Sequence, residues 1–261
     1  MKFIKIEGAG NDFIVMEGPV LVKSEIVRLC DRRKGIGADG LIFVSESACA
    51  DIKFIYYNAD GSRADFCGNG LRATARYMGY NCTIESDCGL HFAKFFGKEI
   101  AVNVPSPKFI KKNFFYTDEG ALHYVHVGVP HAILHIKNFE QFNYLAKKLR
   151  HDPRFGEAGA NIHFSKELED GKIEVRTFER GVEGETFACG SGGAAVFLTF
   201  NAKEATICFR SGDEVRYFYE GKYLMMQGPA RKIFTGEIDA NWHTERDQDS
   251  RIPSGGYSEQ S

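Results

Sequence analysis

The chain has 261 residues, 43% of them hydrophobic, and a formal net charge of −2. It can bury an ordinary core as one large domain or two of roughly 120 residues, and its balanced charge points neither to nucleic acid nor to an anionic membrane. No stretch is long and apolar enough to cross a bilayer or form a signal-peptide core, and seven cysteines without framework spacing fit a reducing compartment. The expected setting is the cytoplasm, where Asn81-Cys82-Thr83 is a chance glycosylation match.

Met1 to Glu7 alternates in character and reads as a strand, followed by Gly8-Ala9-Gly10 and Asn11. Ser24 to Lys34 starts on Ser, repeats apolar residues near 3.6 spacing and ends on basic residues, which predicts a helix. Gly35-Ile36-Gly37-Ala38-Asp39-Gly40 matches the dinucleotide fingerprint by letter, but a helical pattern precedes it and a strand, Leu41 to Val44, follows. That order is the reverse of a pyrophosphate site, and a helix cap with a tight turn accounts for the glycines. Asp51 to Tyr57 is a strand, Asn58-Ala59-Asp60-Gly61-Ser62 an Asx-type turn, and Cys67-Gly68-Asn69-Gly70 opens an apolar, Ala-rich run.

Leu122 to Val127 is again a strand, and Gly128-Val129-Pro130 brings the chain to His131. Asn138 to Arg150 repeats the helix signals, Lys172 to Phe178 reads as a strand, and Glu179-Arg180-Gly181 follows it. Cys189-Gly190-Ser191-Gly192 opens a second apolar run. Thr206 to Phe209 and Val215 to Tyr219 are strands bounded by the turns Ser211-Gly212-Asp213 and Glu220-Gly221. From about Asp239 the composition turns polar, with the only tryptophan, Trp242, and residues 239–261 are expected to be a disordered tail.

The halves echo each other. Asn11 precedes Cys67 by 56 residues and His131 precedes Cys189 by 58, which suggests a duplicated unit of about 120 residues. The expected fold is strand-rich α+β in two similar domains, 1–115 carrying Cys67 and 116–238 carrying Cys189.

A cysteine at a helix start sits beside unpaired N–H groups and the positive end of the helix dipole, which favours the thiolate and makes the sulfur a base or nucleophile. The glycines that follow let a carboxylate approach those N–H groups. An amino acid held between two such thiols could lose its α-proton to one and gain a proton from the other on the opposite face, with the backbone N–H groups stabilising the enediolate charge. No lysine site calls for pyridoxal phosphate, so no cofactor is expected. His131 is either a structural turn histidine or an imidazole aimed into a cleft. Glu179 and Arg180 are either a surface ion pair or a clamp for ammonium and carboxylate. His123, His126, His131 and His135 crowd one region without ligand spacing, and no metal is expected. Cys30, Cys49, Cys82, Cys88 and Cys208 read as small buried or edge residues.

Gly8-Ala9-Gly10-Asn11-Asp12-Phe13, Asn58 to Ser62 with Cys67 to Gly70, and Glu179-Arg180-Gly181 through Glu185-Thr186 to Ala188-Cys189-Gly190-Ser191-Gly192 stand in the order of one family's motifs. Up to about Ile238 the chain resembles the diaminopimelate epimerases, pyridoxal-phosphate-independent enzymes that interconvert LL- and meso-diaminopimelate for lysine and peptidoglycan synthesis. The resemblance implies two pseudo-symmetric domains, each a curved, mostly antiparallel sheet around a central helix, with the active site in the cleft between them. It implies Cys67 and Cys189 as the acid/base pair, assisted by His131 and Glu179. Gly68, Asn69, Gly190 and Ser191 would hold the reacting carboxylate by their N–H groups, and Asn11, Asn58, Asn161 and Arg180 the distal groups. A small-molecule substrate is then the expected partner, and a homodimer is left open.

Two positions depart from the commonest pattern. Val129 stands where many members have asparagine, which removes one polar contact to the distal end, and Gly40 where many have glutamine. Both motivate a related racemase, acting for example on histidine or proline, as the alternative. A thiol redox or amino-acid-binding protein is the reading from another class, although redox pairs usually sit close as Cys-x-x-Cys and these cysteines are 122 residues apart.

Overall fold

In a computed structural model, which describes residues 1–239, the chain runs twice through the same succession of elements. The first pass comprises β1 (Lys2–Gly8), β2 (Asn11–Glu17), α1 (Lys23–Cys30), β3 (Gly40–Ser45), β4 (Ile52–Asn58), β5 (Arg63–Ala64), α2 (Gly68–Met78), β6 (Cys82–Ser86), β7 (Gly89–Phe96), β8 (Glu99–Asn103) and β9 (Phe109–Thr117). The second comprises β10 (Gly120–Val127), β11 (Val129–His135), α3 (Phe142–Arg150), β12 (Asn161–Glu167), β13 (Ile173–Glu179), β14 (Gly184–Thr186), α4 (Gly190–Thr199), β15 (Glu204–Phe209), β16 (Glu214–Glu220), β17 (Tyr223–Pro229) and β18 (Arg231–Glu237). The expected tail, apart from Asp239, lies outside the described residues. Among those residues no helix is long and apolar enough to cross a membrane.

Strand pairing follows the repeat. In the first half β1–β2, β3–β4, β6–β7 and β7–β8 are antiparallel while β2–β3 and β4–β6 are parallel. In the second half β10–β11, β12–β13, β15–β16 and β16–β17 are antiparallel, with β11–β12 and β13–β15 parallel in the matching places. The halves are joined where β8 pairs antiparallel with β17. Each last strand crosses over: β9 pairs with β10 of the second half, and β18 returns to pair with β1 of the first, so that all the strands form one continuous sheet. The expected boundary after residue 115 thus falls within β9, whose ladder partner belongs to the second half.

Two helices are shorter than the sequence pattern predicts, for the same reason at opposite ends. The helix expected over Ser24 to Lys34 stops at Cys30, because the Asp31 carboxylate accepts the N–H groups of Arg33 and Lys34, both at 2.7 Å, and turns the chain. The helix expected from Asn138 starts at Phe142, after the Asn138 side chain accepts the Glu140 N–H at 3.0 Å. Gly35 to Gly40 does lie between a helix and a strand.

α2 and α4 are the central helices. From Gly190 to Thr199 every residue but Ser191 is buried and the run is largely small and apolar all round, whereas in α2 the stretch Gly68 to Ala75 is buried with Asn69, Arg72 and Thr74 among its small apolar residues. Leu71, Ala73, Ala75, Ala194, Val196 and Phe197 join one core cluster with residues from both halves, such as Ile6, Phe54, Ile207 and Tyr217. A Cβ on Gly193 would lie 2.3 Å from the Tyr217 hydroxyl and 2.8 Å from the Phe209 ring. Gly193→Ala should therefore cost about 1–3 kcal/mol through overpacking, read as a lower urea midpoint at unchanged slope; an unaltered midpoint would refute this packing constraint.

Candidate active site

Cys67 and Cys189 are the N-cap residues of α2 and α4, with nearly identical backbones, φ −144°, ψ 106° and φ −133°, ψ 103°. The Gly70 N–H donates to Cys67 Sγ at 3.4 Å, and Cys189 Sγ lies 3.7 Å from Ser191 Oγ. The two helix starts meet. A Cβ on Gly68 would be 2.2 Å from Met226 Cε, and one on Gly190 would be 3.0 Å from Met226 Sδ and 3.1 Å from Asn69 Oδ1. Met226 on β17, paired with Val102 on β8, thus sits where the strands join and the helices converge. Glycine at 68 and 190 is what allows that approach.

Glu179 and Arg180 leave the end of β13, and Asn161 begins β12, where its side chain accepts the Arg180 N–H at 2.8 Å. Asn58, Asn161, Glu179, Arg180, Cys189 and Ser191 line one cavity of about 880 Å³ together with Val129. Asn11 and Asn69 are committed elsewhere: Asn69 Nδ2 donates to Asn11 Oδ1 at 2.6 Å, and Asn11 Nδ2 donates to Asp39 Oδ2 at 3.1 Å. At the second departure from the family pattern, a Cβ on Gly40 would lie 2.4 Å from the Tyr56 ring and 2.6 Å from the Tyr57 carbonyl. Buried Tyr56 occupies the space that a longer side chain at 40 would need.

His131 is fully buried, and the imidazole it bonds is not one of the histidines near it in sequence. Its Nε2 lies 3.3 Å from the Val127 carbonyl, its Nδ1 2.8 Å from His163 Nε2, and His163 Nδ1 lies 3.0 Å from Thr177 Oγ1. A carbonyl only accepts, so Nε2 of neutral His131 carries the proton, and the bonds then run one way: Thr177 hydroxyl to His163, His163 to His131, His131 to Val127. Sequence reasoning missed His163, although strand alternation from Asn161 places both residues on one face. His131, His163 and Cys189 offer ligand atoms within 4.8 Å of one another. Two of the three ligand atoms already bond each other, and tetrahedral zinc needs spacings of roughly 3.3–3.8 Å. As arranged, the two rings are committed to each other by a hydrogen bond.

Burial dominates the electrostatics. It pushes the Cys67 thiol up to about 12, against the lowering pull of the Gly70 N–H, and pushes Cys189 up as well, with Glu179 adding to it. The helix-start effect expected from the sequence is present but outweighed by desolvation, so each sulfur, on half-buried Cys67 and on buried Cys189, keeps its proton unless a cation enters. Burial also raises the Glu179 carboxyl, drives His131 down to about 3 and holds His163 well below its ordinary value. All seven cysteines are free thiols.

The histidine shifts set an acid limit. In the unfolded chain each imidazole takes up a proton near pH 6.5, whereas folded His131 does so only at about 3. Stability is complete above the unfolded value and falls as pH drops through that window, by up to about 1.4 kcal/mol per pH unit per histidine. The urea midpoint should fall between pH 7 and pH 5, and fall less in His163→Gln; equal slopes in both proteins would refute the assignment.

The family model described as diaminopimelate epimerase matches residues 3–92 and 123–233. The diaminopimelate epimerase of Caldanaerobacter subterraneus subsp. tengcongensis is 36% identical over 275 residues, covering 92% of this chain and all of that protein. That of Campylobacter jejuni (strain 81116) is 34% identical over 248 residues, covering 90% and 97%. The fold is shared with a PhzF-family phenazine biosynthesis protein of Bacillus anthracis, TM-score 0.69 at 17% identity over 91% of this chain and 98% of that one. It is shared as well with a hydroxyproline epimerase of Agrobacterium vitis, TM-score 0.68 at 13% identity over 90% and 91%. With its two-domain α+β architecture and full-length relatives, the chain belongs to the diaminopimelate epimerase family and is a cofactor-independent epimerase or racemase of that superfamily.

Proposed function

We propose that the enzyme interconverts LL- and meso-diaminopimelate, with Cys67 and Cys189 as the acid/base pair on opposite faces of the substrate Cα. The observation that carries this reading is the convergence of two cysteine-capped helix starts at Met226. The substrate α-carboxylate would sit on the N–H groups of Gly68, Asn69, Gly190 and Ser191, which are oriented before substrate arrives. As a thiolate, one cysteine takes the α-proton, the electron pair moves into the carboxylate as an enediolate, and the other thiol returns a proton from the opposite side. The centre is inverted, and the negative charge has moved from one sulfur to the other. The α-ammonium supplies the cation that a desolvated thiolate needs, with the Glu179 carboxylate to hold it.

Arg180 supports a substrate with a distal carboxylate. It lines the cavity with Asn58 and Asn161, and its guanidinium offers the planar fork that a carboxylate takes in bidentate fashion. The apolar wall at Val129 favours the second reading, a racemase for a smaller or less polar amino acid. The third reading keeps the thiols but replaces proton transfer with disulfide exchange.

Proton NMR and chiral analysis in D₂O separate the three. Metal-free, reduced protein should place deuterium at Cα of LL-diaminopimelate and yield the meso form, with none in L-histidine or L-proline. Exchange confined to another amino acid would move the substrate, and exchange in none with intact thiols would favour the redox or binding class. Cys67→Ser and Cys189→Ser should each lower turnover by about 10²-fold or more with unchanged circular dichroism; full turnover in either would refute the two-thiol mechanism. Arg180→Lys should raise KM more than it lowers kcat, and unaltered kinetics would exclude the clamp.

A further inference from the structure

Arg72 is the largest side chain withdrawn completely from solvent, and it carries a positive charge. It lies on α2, five residues after Cys67, in the otherwise small and apolar run Leu71 to Ala75. One guanidinium nitrogen donates to Asn69 Oδ1 at 2.8 Å, and Nε donates to the Pro229 carbonyl at 3.3 Å. The remaining nitrogen, Nη1, has no hydrogen-bond partner. No described carboxylate forms a direct ion pair with it. A buried cation left like this opposes folding, so packing does not account for its presence.

The chain of donors from Arg72 runs one way. Arg72 donates to Asn69, Asn69 to Asn11, and Asn11 to the Asp39 carboxylate, which is held in turn by Arg32 at 2.7 Å. The balancing anion is reached only through two amides. The charge itself therefore remains close to the start of α2, where its field in the dry interior lowers the energy of an anion on Cys67.

The second half has no counterpart. Position 194, which stands to Cys189 as Arg72 stands to Cys67, is alanine. Around Cys189 are the neutral pair His131 and His163, the Ser191 hydroxyl, and the Glu179 carboxylate, which disfavours an anion on either sulfur. Around Cys67 are Arg72, the N–H groups of Gly70 and Asn69, Glu179 and the Tyr56 hydroxyl; Arg72 in turn faces Tyr217 and, farther off, Glu7 and Asp213. The two thiols are matched in backbone and unmatched in charge.

We propose that Arg72 is a positioning residue that makes Cys67 the more acidic of the two thiols, so that once substrate enters and one sulfur ionises, the charge rests on Cys67 and the proton on Cys189. The proposal rests on the reading that both sulfurs do the proton transfer. The first proton removed then goes to Cys67, and the proton delivered comes from Cys189. The enzyme emerges with the charge on Cys189, beside Glu179, and must move a proton from Cys67 to Cys189 before it can repeat the same direction. One substrate epimer consequently meets the enzyme in its resting form and the other in its less stable form.

Iodoacetamide labelling tests this without substrate, with the Cys67 and Cys189 peptides quantified by mass spectrometry across the alkaline range. In the unmodified protein the labelling midpoint of Cys67 should lie below that of Cys189. Arg72→Gln should slow labelling of Cys67 by about tenfold at fixed pH while Cys189 changes little, and Arg72→Lys should restore most of the rate. Equal midpoints in the unmodified protein, or a Cys67 rate indifferent to Arg72→Gln, would overturn the proposal. Should Arg72→Gln fail to fold, the unmodified protein and Arg72→Lys still decide it. The two-thiol reading fails separately, by full Cα exchange in a single cysteine variant.

Discussion

Two helices begin face to face in the interior, and each brings the partly positive end of its dipole to the same place. Like ends repel. The arrangement persists because other parts of the molecule hold it. The β8–β17 ladder fixes the strands behind the junction, Met226 fills the space between the glycines, and the amides of Asn69 and Asn11 lead to Asp39. The result is a concentration of N–H donors that lacks an anion of its own. Under the proposed function that deficit is the chemical asset of the fold, because an incoming carboxylate would complete a set of bonds the protein leaves open.

Around this centre the halves have become different without losing their shared frame. Cys67 and Cys189 keep nearly the same φ and ψ, yet one lies near a buried guanidinium and the other near two neutral imidazoles. The walls differ too. The second half contributes Asn161, Glu179 and Arg180 to the cavity, whereas from the matching ends of strands the first contributes Asn58. A near-symmetric scaffold thus carries two cysteine caps in unlike surroundings.

Much of this was legible in the sequence because it is local. The Cys-Gly-x-Gly caps, the repeat of about 120 residues and strands β1, β3, β4, β10, β13, β15 and β16 each declare themselves within a few residues or by simple offsets. The ends of α1 and α3 were misjudged because Asp31 and Asn138 fold their side chains back onto the backbone, a choice that apolar periodicity does not register. β9 and β18 escaped notice because, at a sheet edge, their residues are largely exposed and carry little alternation. The thiol acidities and the pairing of His131 with His163 depend on burial by distant segments, and no window of sequence contains both sides of such a contact. Arg72 was visible as a letter, but its isolation became evident only when no carboxylate stood beside it.

The crossing of β9 and β18 bears on how such a molecule is built. One run of nine strands would end in a strand with no neighbour in its own sheet, beside a first strand with an open edge. A second run offers the missing neighbour and needs the same in return. The single chain is thus the covalent form of two units that complete each other by trading their final strands, so that cutting it at the repeat would leave both pieces with an open edge and no cleft.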